Sequence, residues 1–307
     1  MKGLINESSS SAESRNPLAG VSFFLMRNKN LGRVIVLAAG FLIIAVFSIF
    51  NNLPDGKVHI KFYDVGQGDS IFIRTPAGHK ILVDGGPDNK VLSYLGEDLP
   101  FWDRSLDLVI STHPHSDHLT GLLEVLKRYK VKKVLLGKMS HTTDQYLEFL
   151  KLIKDRGVPT DSPKKGDKIS LDDDVNLKFL SPKGYSGEET DLNLSSLVFL
   201  LSFRDFEVLL TGDASKESQP YGQNLGQIDV LKVPHHGSKD ALDSNFLKTL
   251  KPKLAIISVG KDNRFGHPAQ NTLETLENLR VETLRTDLDG TVEIDNLGLV
   301  SDHKVSK

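Results

Sequence analysis

From Val58 onward, short strand-like runs alternate with helical ones in an order that comes round twice, and few folds accommodate that pattern. The runs VHIKFYDV, SIFIRT and KILVD are separated by Gly-Gln-Gly-Asp and Pro-Ala-Gly-His turns, which predicts a hairpin-rich β opening. LDLVIST, the amphipathic LTGLLEVLKRYK, VKKVLL and DQYLEFLKLIKDRG then give β-α-β-α order, because their apolar residues switch to helical spacing. DDDVNLKFLS, SSLVFLLSF and EVLLTGD restore consecutive strands, followed by IDVLKVP, a helix around Phe246, LAIISVG, a helix from Asn271 to Leu279 and two closing strands. The expected architecture is α/β: two mixed sheets packed together and sandwiched by helices, one domain over residues 57–300.

Ahead of that domain, residues 34–50 (VIVLAAGFLIIAVFSIF) carry no charge and a single Ser. At the α-helical rise they reach roughly 26 Å, the short end of what spans a hydrocarbon core. A core helix would show a polar face, and this run has none. The apolar run exceeds a signal peptide's usual length, and SIFNNLPDG after it lacks a small-x-small cleavage pattern, so an uncleaved single-pass transmembrane anchor is expected. Arg15, Arg27, Lys29 and Arg33 precede it, so the positive-inside rule places the basic leader, residues 1–33, in the cytoplasm and the following domain outside the cell membrane. Residues 1–15, rich in Ser, Glu and Asn, read as a disordered tail.

The formal net charge is −2 over 307 residues, so contact with a polyanion needs a local basic patch rather than the charge of the whole protein. With no cysteine, disulfide frameworks, thiolate metal sites and cysteine nucleophiles are excluded. Chemistry must come from His, carboxylates and hydroxyls. Three histidines and an aspartate crowd into His113-Pro-His115-Ser-Asp117-His118, where a strand ends and a helix begins. His113 and His115 on an extended loop project the same way, while Asp117 and His118, opening the helix, face a second point. Imidazole and carboxylate suit zinc, manganese or iron, and two such points suit a two-metal clamp.

At these residues the chain resembles the metallo-β-lactamase fold superfamily and, more narrowly, the extracellular hydrolase domain of ComEC-type competence proteins. The resemblance covers about residues 57–297 and also rests on Asp64-Val-Gly-Gln-Gly-Asp69, Leu-Val-Asp84-Gly-Gly, Leu-Thr-Gly-Asp213, Leu-Lys-Val-Pro-His235-His236-Gly-Ser238, Gly266-His267-Pro and Arg-Thr-Asp287-x-Asp-Gly. It implies an αββα sandwich and one or two divalent ions, zinc or manganese. His113 and His115 would bind one metal, Asp117 and His118 the other, and Asp213 would bridge them. His235, directly ending its strand, is expected to complete the second site, with His236 as neighbour or substitute. Asp84 would orient the loop from behind, a metal-held hydroxide would be the nucleophile, and His267 would protonate the leaving oxygen or hold a phosphate. Ser238 and Lys239 are expected to touch substrate.

Some residues have plainer readings. Asp64 and Asp69 flank glycines and read first as turn formers. Lys232, Lys239 and Lys261 near the proposed mouth would suit a phosphate backbone, but lysines are commonly solvated charge. The superfamily's third histidine for the first metal is missing: no His stands between His141 and His235, and the corresponding stretch is Asp191-Leu-Asn193-Leu-Ser-Ser196. Asn193 is then a candidate oxygen ligand, which leans the site toward manganese. One apolar segment cannot form a DNA channel, so a role in uptake would require a separate channel partner. The expected function is a membrane-anchored phosphodiesterase or nuclease-type hydrolase acting on DNA or another phosphodiester. The alternatives are a lactone, thioester or β-lactam hydrolase of the same fold, or a degenerate module that binds DNA or a partner.

Overall fold

The computed structural model describes residues 29–51, 53–137, 141–172, 174–182, 192–216 and 225–299. Most of the expected leader and Asp191 lie outside them. The chain divides into two compact units, Met1–Leu53 and Pro54–Lys307.

In the first unit a helix runs over Lys29–Asn51 and leaves apolar side chains such as Val36, Leu37 and Ile43 exposed. Among the described residues no helix is long and apolar enough to cross a membrane. The expected transmembrane segment is therefore present as a helix but not shown as a span; the side chains at 47, 48 and 50, part of its apolar run, lie outside the described set.

The second unit contains β1 (His59–Phe62), β2 (Ile71–Arg74), β3 (Lys80–Val83), β4 (Ser105–Leu106), β5 (Leu108–Ser111), β6 (Lys130–Val131), β7 (Val134–Leu136) and β8 (Thr160–Asp161). It continues with β9 (Lys168–Ser170), β10 (Val175–Ser181), β11 (Val198–Phe203), β12 (Phe206–Leu210), β13 (Val230–Lys232), β14 (Leu254–Ile257), β15 (Glu282–Arg285), β16 (Val292–Asp295) and β17 (Gly298–Leu299). One sheet has the order β17-β16-β1-β2-β3-β5-β7-β8 and the other β15-β14-β13-β12-β11-β10-β9. Each is antiparallel where hairpins join its strands and parallel where longer connections intervene: β1-β2-β3 then β3-β5-β7-β8, and β9-β10-β11-β12 then β12-β13-β14-β15. The two halves thus share a plan. The late strand β16 returns to pair with β1.

Side-chain alternation along these strands generates the layers. Ile81 and Val83 of β3 enter the core between the sheets, while Leu82 packs outward with Leu119, Leu122 and Leu126 of the helix Ser116–Arg128. In the other half Leu254 and Ile256 of β14 face inward, and Ala255 and Ile257 face outward to Phe246, Leu247 and Leu276. Three apolar layers separated by two sheets make the expected αββα sandwich. A helix at Lys90–Asp98 was not anticipated; it buries only Val91 and Leu95, one turn apart, too short a pattern to read beside a Gly-Gly-Pro turn.

Candidate metal centre

Asp84, His113, Asp213 and His235 each follow closely on the end of a strand, where the backbone leaves the sandwich. After β3, Asp84 adopts φ 56° and turns its buried carboxylate back across β5. There it accepts hydrogen bonds from Thr112 N (2.8 Å) and Thr112 Oγ1 (2.6 Å) and lies 2.8 Å from His118 Nδ1. His113 and His115 follow on the loop, and His118 occupies the first turn of the helix Ser116–Arg128. Close backbone packing fixes this turn: Gly85 N donates to His118 O (2.7 Å) and Gly121 N to Gly86 O (3.0 Å). A Cβ on Gly121 would stand 1.9 Å from Gly85 O, and one on Gly68 would stand 2.1 Å from Asp117 O.

Gly121→Ala is therefore a test of how rigidly the loop is held. A helical Ala is favoured over Gly by about 1 kcal/mol, but the clash is with backbone that cannot yield. A net loss of roughly 1–3 kcal/mol is expected, measured by denaturant unfolding; equal or higher stability would show that the Asp84 and His118 turns are not locked together.

The second half supplies Asp213 after β12, Lys232 at the end of β13 and the turn Pro234–Gly237. His235 and His236 both take left-handed backbone angles, φ 47° and 52°. The expectation that His235 completes the second site is corrected here, because this double left-handed turn drives the following residue inward. His236 is buried with Nε2 3.3 Å from Asp117 Oδ2 and 3.5 Å from Asp213 Oδ2. The His235 side chain stays 35% exposed at the rim, its Nε2 3.9 Å from Asp213 Oδ2.

Hydrogen bonds decide which imidazole edge faces the centre. His236 Nδ1 can only donate to the Ser258 carbonyl (2.9 Å), and His118 Nδ1 is taken by Asp84. The Thr112 hydroxyl gives its proton to Asp84, so its oxygen accepts from His113 Nδ1 (3.1 Å). The Nε2 atoms of all three rings are left directed at Asp213, that of His118 at 3.3 Å and that of His113 at 3.7 Å. His113 Nε2 also meets His115 Nδ1 at 3.0 Å. Two sets of side chains can each surround one ion: Asp69, His118, Asp213 and His236, and His113, His115 and Asp213. Asp213 belongs to both.

A divalent cation fits this donor set. Asp69 Oδ1, His118 Nε2, Asp213 Oδ1 and His236 Nε2 are buried without hydrogen-bond partners among the described residues, a costly condition unless a further charge satisfies them. The electrostatics express the same demand. Burial works against charge on His118, yet the Asp213 and Asp84 carboxylates raise it well above the ordinary imidazole value. Against the same burial, Asp213, Asp117 and Asp69 push His236 up to about 9. Burial and the neighbouring His118 hold His113 well below its usual value. Asp213 is held well down despite burial, chiefly by His118 and His236. Burial raises Asp84, outweighing His118 and Thr112.

Two participants were given other roles from the sequence. Asp69 was read as a turn former, yet its Oδ1 stands 3.4 Å from His236 Nδ1 and its Oδ2 3.8 Å from His118 Nδ1. Lys232 was read as solvated charge near the mouth or a phosphate contact; instead it is 0% exposed, ion-paired with Asp69 and donating to Gly212 O (3.0 Å). Lys232 holds Asp69 down to about 2 against the effect of burial. The sequence carried both signals, in the Asp ending Gly-Gln-Gly-Asp and in a Lys whose strand parity matches inward-facing Val230.

The remaining candidates lie around this centre. His267 stacks edge-on to His235, ring centres 5.7 Å apart. Asn193 lies in the turn Leu192–Ser195, and Leu197 N just beyond it donates to Thr112 O (3.0 Å). Ser238 is buried, its carbonyl accepting from Thr272 Oγ1. Lys239 is exposed.

Comparison with known proteins accords with this geometry. The metallo-beta-lactamase superfamily profile matches residues 63–261. ComE operon protein 3 of Bacillus subtilis is 34% identical over 257 residues, 76% of this chain and 32% of that protein. Recombination protein 2 of Haemophilus influenzae is 29% identical over 88% of this chain and 33% of its own length. The chain thus spans about a third of these relatives. Among solved structures, the metallo-beta-lactamase fold protein YhfI of Bacillus subtilis superimposes with a TM-score of 0.56 at 13% identity, covering 78% of this chain and 99% of its own. With the profile covering most of the sandwich, and the ligand-bearing turns in their expected order, the chain belongs to the metallo-beta-lactamase superfamily, in its ComEC-type competence-protein branch.

Proposed function

We propose that this metal-dependent hydrolase cleaves phosphodiesters, DNA foremost, and that its Lys29–Asn51 helix anchors it to a membrane. The observation carrying the reading is the convergence of three imidazole Nε2 atoms on one buried carboxylate, Asp213, shared by two ion-sized sets of ligands. Competence and recombination proteins among the relatives favour DNA over other esters. The exposed apolar helix supports the anchor, and a role in uptake would pair the chain with a separate channel.

His113, His115 and Asp213 would hold one ion, and Asp69, His118, Asp213 and His236 the other, with Asp117 Oδ2 beside the second set at 3.3 Å from His236 Nε2. Bound ions would polarise the phosphoryl oxygen and acidify water at neutral pH. The protein's own part is to aim these ligands. Asp84, Thr112 and the Ser258 carbonyl each fix one imidazole through Nδ1. His267, whose buried Nδ1 has no hydrogen-bond partner among the described residues, stands at the rim to protonate the leaving oxygen.

The full chain in detergent is expected to hydrolyse DNA and bis(p-nitrophenyl) phosphate with manganese or zinc. Chelator should reduce the rate to background and added metal should restore it. A rate indifferent to chelator defeats the reading. Turnover of a lactone in place of either phosphodiester reassigns the substrate, and metal-free DNA binding without turnover identifies a binding module.

A further inference from the structure

The segment Gly260–Pro268, between β14 and the helix Gln270–Asn278, forms one wall of the rim and is built around Asn263. That side chain donates to Gly260 O (2.9 Å) and His267 O (2.6 Å) and accepts from Phe265 N (3.2 Å) and His267 N (3.0 Å). Gly260 N donates to Gln67 Oε1 (3.2 Å) and Ala269 N to Gly237 O (2.8 Å), so the loop is tied to the turns that carry Asp69 and His236. A loop so fixed nevertheless holds a large apolar ring in water: Phe265 is 53% exposed. Its ring lies nearly parallel to that of His267, centroids 5.8 Å apart and planes at 19°. His267 in turn meets His235, whose Nε2 is 3.9 Å from Asp213. A row of rings therefore leads from the metal centre out to Phe265. The guanidinium of Arg264 stands 5.0 Å from the Phe265 centroid, and Lys261 is exposed on the same loop with Asp262 as the opposing charge.

We propose that Phe265 is a stacking platform for an unpaired nucleobase, with Arg264 and Lys261 on the adjoining phosphates, so that the site takes single-stranded nucleic acid. The proposal rests on the phosphodiester reading for what lies at the metals. An exposed flat ring at the outer end of this row, with cations beside it, matches the pairing by which single strands are held without sequence preference: base on aromatic face, phosphate on positive charge. In a duplex both faces of each base are covered by neighbours and offer the ring nothing. A braced loop also presents the ring already ordered, at little entropic cost on binding.

Binding is read by fluorescence anisotropy of the full chain in detergent, using a labelled single-stranded oligonucleotide, its duplex and an abasic strand of equal length. The intact single strand is expected to bind about tenfold more tightly than the abasic one, within the range that one base–aromatic stack is worth. Phe265→Ala should collapse that ratio and Phe265→Trp should keep it. Parallel cleavage assays with manganese should show the same ratio in KM rather than kcat. An unchanged ratio in Phe265→Ala, or equal binding of intact and abasic strands by the unaltered chain, overturns the platform. Base-dependent binding without cleavage under any metal leaves the platform standing and overturns the hydrolytic reading instead.

Discussion

Asp213→Ala is expected to strip the protein of both ions at once and to lower hydrolysis by more than about a hundredfold, the upper end of what loss of a mere outer-shell partner costs. The reason is its position in both ligand sets, with Oδ1 facing His118 and Oδ2 facing His113, His235 and His236. Of the neighbouring carboxylates, Asp69 stands in one set alone and is ion-paired with Lys232, and Asp84 is turned toward Thr112, so neither takes the shared position. Elemental analysis of the purified variant measures the metal directly, and cobalt substitution reports the coordination. Asp84→Asn supplies the contrast: it removes an orienting charge but no ligand, so metal content should fall only partly. Retention of two ions by Asp213→Ala would dismantle the bridging assignment.

The second large effect concerns stability. Lys232 and Asp69 form an ion pair in which both side chains are almost wholly buried. Lys232→Met keeps the volume and the apolar stem but leaves the Asp69 carboxylate without its main counter-charge. Breaking a buried pair from one side costs about 3–5 kcal/mol, whereas replacing both partners is far milder. Urea unfolding is expected to show that loss in Lys232→Met and to recover most of it in Lys232→Met/Asp69→Asn. A single variant within about 0.5 kcal/mol of the parent, the usual effect of an exposed substitution, would mean that the ammonium reaches solvent and the pair is incidental.

The layered sandwich was legible because β3, β5 and β14 are short, nearly continuous apolar runs of the kind that central strands covered on both faces require, and helical periodicity in Ser116–Arg128 and Asp144–Asp155 is long enough to count. The first ligand cluster was legible for a related reason: four chemically able residues in one short loop need no tertiary information to be noticed. His235 and His236 were not separable, since only the left-handed turn determines which ring faces inward, and neighbouring histidines look alike in sequence. Asp69 was obscured by its glycines, which favour a turn whatever the side chain goes on to do. Lys232 was obscured by its type, because lysine is almost never fully buried unless paired, and its partner lies far away in the sequence.

The return of β16 to β1 bears on how the molecule is made. All the proposed metal ligands lie between Asp69 and His236, so a growing chain possesses the whole site well before it possesses β16. Until then β1 has β2 on one side and a bare edge on the other, and an unpaired edge is a template for association with other chains. Closure needs contacts of very large sequence separation, such as Lys57 Nζ to Asp295 Oδ2 at 2.7 Å and 238 residues apart. Contacts of that kind slow folding. Nascent or truncated chains that end before Val292 should therefore aggregate while already carrying every residue the chemistry requires, and chaperone dependence should fall sharply once the last strands are synthesised.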